Sequence, residues 1–102
     1  MLYEIIVDSP PLDFEKWLYK EYKNDVELKH IFTNFYILKT DESCYDLYLK
    51  LKNILITSKD KLPKHKKSYY SDSLFIHKLE NLNNIEGWFG EKDVEWLLNE
   101  LK

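Results

Sequence analysis

Twice along this chain a short run of β-branched and aromatic residues gives way, across a turn, to apolar residues spaced three and four apart. Leu2 to Val7 is such a run, and it closes on Asp8, Ser9, Pro10 and Pro11. Pro cannot continue a ladder and fixes its own backbone, so a buried strand ends there. From Leu12 the period changes: Phe14, Trp17, Leu18 and Tyr22 fall on one helical face with charged residues between them, which predicts an amphipathic helix capped near Asp13 and ending near Asn24. Ile31 to Leu38 repeats the strand signal as one second strand and stops at Lys39, Thr40 and Asp41. Thr40 to Ser43 then offer cap chemistry for a second helix, whose face is Tyr45, Leu47, Tyr48, Leu51, Ile54 and Leu55.

Lys59 to Lys67 breaks the pattern. Pro63 and a dense basic set predict a solvated loop here. Ser73 to Leu79 restores strand character, and Asn81, Asn83 and Asn84 make a turn. Ile85 to Phe89 reads as a short fourth strand, and Glu91 to Leu101 as a closing helix with Val94, Leu97, Leu98 and Leu101 on one face. Strand, helix, strand units require crossovers that lay their helices on a sheet. The simplest solution is an α+β, ferredoxin-like split βαβ sheet with helices on one face.

A chain of 102 residues with 44% hydrophobic content builds one core, so residues 1–102 form a single domain. Fifteen basic and eighteen acidic residues are closely mixed, for a net charge of -3. Nucleic acid would therefore have to meet a local patch rather than the whole surface. Lone Cys44 forms no intrachain disulfide, and no segment has the length of a signal peptide core or membrane span. The expectation is a cytoplasmic protein with no membrane partner. His30, His65 and His77 show no zinc-ligand spacing. No glycine-rich loop with a trailing Lys and Ser or Thr is present, which excludes a P-loop NTPase. Trp17, Trp88 and Trp96 read as packing anchors.

The basic stretch is the strongest candidate site. Lys59, Lys61, Lys64, His65, Lys66 and Lys67 put six basic groups within nine positions, and Tyr69 and Tyr70 follow. The lysines suit phosphates and the tyrosines suit unpaired bases, while an exposed solvated loop would carry the same composition.

Two blocks carry a family resemblance. The first is Tyr36-Ile37-Leu38-Lys39-Thr40-Asp41 followed by Leu47-Tyr48-Leu49-Lys50. The second is Asp72-Ser73-Leu74-Phe75-Ile76-His77-Lys78-Leu79, running into Gly87-Trp88-Phe89 and Val94-Glu95-Trp96-Leu97-Leu98. Together they resemble the small SinR-type, CRISPR-associated Cas-two-like family, whose relatives include virulence-associated protein D and the GhoS-type antitoxin. The resemblance implies a ferredoxin-like fold, a homodimer and nucleic-acid binding to DNA or RNA. It also implies Mg²⁺-dependent nuclease chemistry in some members, with an aspartate at the end of the first strand holding the metal. Asp8 occupies that place, as catalytic and metal-binding candidate. The alternative for Asp8 is a turn residue bonding nearby amides ahead of Pro10. The following Ser9-Pro10-Pro11 and the polar Asn34 both depart from the family pattern. A second function has the same dimeric scaffold serve as a non-catalytic, antitoxin-like or mobile-element module gripping a protein partner.

Overall fold

The computed structural model describes residues 1–24, 26–70, 73–80 and 91–100. Its elements run β1 (Leu2–Val7), α1 (Leu12–Glu21), β2 (Leu28–Phe32), β3 (Phe35–Lys39), α2 (Cys44–Asp60), a 3-10 segment (Lys64–Tyr69), β4 (Leu74–Leu79) and α3 (Glu91–Glu100). The four strands form one sheet in the order β2-β3-β1-β4, and each neighbouring pair is antiparallel. Two interleaved βαβ units with this strand order make a ferredoxin-like α+β fold.

The expected single second strand is two strands. Thr33 and Asn34 turn the chain inside Ile31–Leu38, so that Phe32 faces Phe35 and Leu28 faces Leu38. The turn is held from outside as well as within: the Asn34 carbonyl accepts the Val7 amide at 2.9 Å, and the Thr33 carbonyl lies 3.2 Å from His30 Nε2. A two-residue turn without glycine leaves little mark in a run that is aromatic and β-branched on both sides. The ladder is irregular between His30 and Phe32, which shifts alternation across this hairpin.

Period-two alternation splits the strand residues between two faces. Tyr3, Ile5, Val7, Leu28, Tyr36 and Leu38 point to one, where Phe14 and Leu18 of α1 and Leu47, Leu51 and Leu55 of α2 close over them. The apolar spacing of each helix accounts for this packing. α2 starts at Ser43, whose Oγ accepts the Asp46 amide at 3.1 Å. α1 is capped differently from expectation: Pro11 is its N-cap, with no side-chain cap bond, and Asp13 sits in the first turn, where its charge suits the helix dipole. It ends at Glu21, before the expected Asn24.

The other face holds a smaller cluster of Leu2, Ile37 and Leu97, flanked by Ile31, Phe35, Leu79 and Trp96. α3 thus adds a third helix to the face opposite α1 and α2. It packs through Leu97 and Trp96, whereas Leu98, expected on its apolar side, is exposed. Trp96 Nε1 donates to the Val26 carbonyl at 3.1 Å, and Lys39 Nζ pairs with Glu100 at 2.8 Å. The expected strand at Ile85–Phe89, the turn asparagines 81–84, Trp88 and Leu101 lie outside the described residues. No described helix is long and apolar enough to cross a membrane.

Candidate functional site

Candidate chemistry gathers at the two opposite ends of the sheet. The first end is where β1 stops and β4 starts. Val7 pairs with Leu74, the Asp8 amide donates to the Ser73 carbonyl at 3.3 Å, and the β2–β3 turn is bound to Val7. Asp8 is exposed, and Ser9 Oγ donates to its Oδ1 at 3.4 Å. Ser9 takes left-handed backbone, with φ of 46°, directly before Pro10. A residue preceding proline is pushed toward extended backbone, so strain is held at this corner. Among the described residues no three His, Cys, Asp or Glu side chains stand close enough together to hold a metal ion. Asp8 supplies one carboxylate, and Mg²⁺ sites use one or two with water and phosphate filling the rest.

The basic stretch is more ordered than a loop. Lys59 belongs to the last turn of α2, and Lys61 caps that helix. Lys64 to Tyr69 form the 3-10 segment, which follows Pro63. Residues three apart eclipse in this geometry, so Lys64 shares a face with Lys67, and Lys66 with Tyr69. Lys64, His65 and Lys66 are exposed, Lys67 and Tyr70 are half-buried, and Tyr69 is 72% exposed. Lys61, Lys64, Lys66 and Lys67 form no ion pair with the described residues. Three residue steps separate Tyr70 from Ser73, a reach of at most about 11 Å. The structure therefore carries the basic segment to the Asp8 end of the sheet.

The opposite end holds a cleft of about 790 Å³, and sequence reasoning missed it. Tyr22, Thr40, Glu42 and Lys50 line part of its wall. Tyr22 Oη donates to Glu42 Oε1 at 2.6 Å, Thr40 Oγ1 donates to the same oxygen at 3.0 Å, and Lys50 Nζ reaches Glu42 Oε2 at 3.2 Å. Lys50 also donates to Tyr22 Oη at 3.1 Å, pairs with Glu21 at 3.2 Å, and lies over the rings of Trp17 and Tyr22. Burial, with the bond to Glu42, pushes the Tyr22 hydroxyl up to about 12. Burial opposes ionisation of Glu42, but bonds from Tyr22, Thr40 and Lys50 outweigh it and hold the carboxyl below its usual range. Burial also works against the Lys50 ammonium, yet contacts with Tyr22, Glu42 and Glu21 outweigh it and hold the group above its usual range.

Those directions decide what this cluster does. A general base or nucleophile needs a lysine or tyrosine that gives up its proton more readily. Here both hold it harder. The cluster ties the β3–α2 connection to the end of α1, a structural lock. A similar set on the helix-covered face joins Tyr36 Oη to Glu15 at 2.7 Å and stacks His30 on the Tyr36 ring at 4.4 Å.

Phe32, Phe35 and Phe75 also escaped the sequence reading as a set. Ile6 faces Phe35 on one side and Phe75 on the other, and Phe32 faces Phe35. Their alternation would have shown this only with the hairpin and the sheet order in hand. His77 of β4 is exposed beside Glu4, its Nδ1 3.5 Å from the carboxylate. No family model, curated protein or solved structure matches this chain.

Proposed function

We propose that this protein binds nucleic acid, with the 3-10 segment Lys64–Tyr69 as its phosphate-binding element. The observation that carries this reading is the exposed Lys64 and Lys66 and the half-buried Lys67, unpaired among the described residues and followed by exposed Tyr69 in the same 3-10 segment. Lysines that form no ion pair among the described residues are available to displace counterions from a phosphate chain, and a tyrosine on the same face as Lys66 can stack on a base. The ferredoxin-like sheet agrees with the Cas-two-like resemblance, though such a frame serves many unrelated activities, so the weight rests on the segment. Asp8 as a Mg²⁺ ligand, with cleavage and a homodimer supplying a second Asp8, extends the proposal; a single carboxylate leaves binding as its centre.

Anisotropy titrations with labelled single- and double-stranded RNA and DNA, at several salt concentrations and with Mg²⁺ or EDTA, test this. Binding should weaken with salt. Replacing Lys64, Lys66 and Lys67 by Glu should abolish it, or lower the log–log salt slope by about 0.7 for each single-strand phosphate that is no longer neutralised. Absence of binding by the wild type at low salt sinks the reading. Recovery of a stoichiometric protein partner under those conditions favours the interaction module, for which exposed Phe32 and Phe75 are the supporting observation.

A further inference from the structure

We infer that the sheet face opposite α1 and α2 is a platform for unpaired bases, with Phe32, Phe35 and Phe75 as its stacking rings. This rests on the nucleic-acid reading and adds a second, separate surface to it.

Register places the rings. Phe32, Phe35, Ile6 and Phe75 are successive cross-strand partners, one on each of the four strands, so they cross the sheet as a single row on one face. Strands lie about 4.8 Å apart, which makes the row roughly 14 Å long. A four-stranded sheet uses such a width to stack two or three bases of a single strand. Phe32 and Phe35 already pack at a tilt, with ring centroids 5.9 Å apart. Phe32 is 56% and Phe75 59% exposed, on a face whose opposite end is filled by Leu97 and Trp96 of α3.

Charge and area both select the occupant. The row lies at the Asp8 end of the sheet, where the basic segment arrives: five residue steps, at most about 18 Å of chain, join Tyr70 to Phe75. A strand whose bases lie on the row thus has cationic groups for its phosphates within a few nucleotides. A second protein is a poorer fit. Two half-exposed phenylalanines offer on the order of 250 Å² of ring surface, whereas a standard protein interface covers about 800 Å² on each partner.

The test uses the whole chain with Phe32→Ala, Phe75→Ala and Phe75→Trp, and oligonucleotides carrying 2-aminopurine, whose fluorescence falls when it stacks. Wild-type protein should quench the probe in single strands and leave it unquenched in a duplex. Each alanine variant should weaken single-strand binding about 5- to 100-fold with the salt slope unchanged, and Phe75→Trp should restore it. Circular dichroism melts confirm that the variants stay folded, and the wild-type quenching stands independently of them. Salt-dependent binding without quenching, or with full affinity in both alanine variants, overturns the platform and leaves the basic-segment reading standing. Absence of any binding removes both. Alanine variants that change the oligomeric state but leave single-strand affinity intact also overturn it, and assign the row to a protein interface.

Discussion

The two faces of the sheet are finished in different ways. On the helix-covered face Tyr3, Ile5, Val7, Leu28, Tyr36 and Leu38 meet Phe14, Leu18, Leu47, Leu51 and Leu55, and none of these residues is more than 1% exposed. On the other face Leu2, Ile37, Leu97 and Lys29 are buried among the described residues, while Phe32 and Phe75 remain more than half exposed. The same strands supply both sets through alternate residues. Stability is thus concentrated on one side, and the other side is left to hold aromatic surface at little structural cost.

The sharpest way to break this comparison is to cut one side chain on each face. Leu51→Ala opens a cavity in the fully closed layer and should cost about 2–5 kcal/mol. Leu97→Ala trims a cluster with partly exposed partners and should cost less, about 1–2 kcal/mol. Urea denaturation followed by circular dichroism, with unchanged m values, reads both. Equal costs would mean that α3 seals its face as firmly as α1 and α2 seal theirs.

The lock at Tyr22, Glu42 and Lys50 predicts an intermediate effect with a defined pH dependence. Tyr22 holds its proton to about 12 in the folded chain against about 10 unfolded, so its contribution is complete below pH 10 and disappears as pH rises from 10 to 12. Lys50, also raised, gives up its contribution on the same alkaline side. Glu42 is lowered, so its contribution is present above the ordinary carboxylate value of 4.5 and disappears as pH falls through the lowered folded value. Thermal melts should show Tyr22→Phe flattening the alkaline decline and Glu42→Gln flattening the acid one. Unaltered slopes in both variants would show that the cleft network contributes little to folding.

The smallest expected effect is on the open row. Phe32→Ala and Phe75→Ala should change stability by no more than about 0.5 kcal/mol, because exposed rings have little buried area to give up. A cost near that of Leu97→Ala would show the row to be covered in solution.

Much of this fold was legible in residue order. Leu2–Val7 has the expected strand bounds, because a β-branched run stopped by two prolines carries both its period and its end locally. Ser43 was within the expected cap group because its hydroxyl acts on an amide only three residues away. The hairpin was not legible, since Thr33 and Asn34 are held by Val7 from a strand far off in sequence. Nor was the start of the basic stretch: Lys59 continues α2, where burial of Leu55 and Ser58 outweighs the charge run beside them. Of the candidate site, Lys64 to Tyr70 stood out by composition, whereas the three phenylalanines looked like ordinary strand residues until their partners were known.

The sequence by itself determined the α+β class, the extents of β1 and β4 within a residue, and the apolar faces of α1 and α2 apart from Tyr45, which is exposed, because each depends on spacing along a single segment. Only the tertiary structure decided the strand order, the placement of α3, the meeting of Tyr22 with Glu42 and Lys50, and the alignment of Phe32, Phe35 and Phe75 across the sheet. Those arrangements depend on pairings between distant segments, where register selects which alternate residues share a face, and no local period encodes that choice.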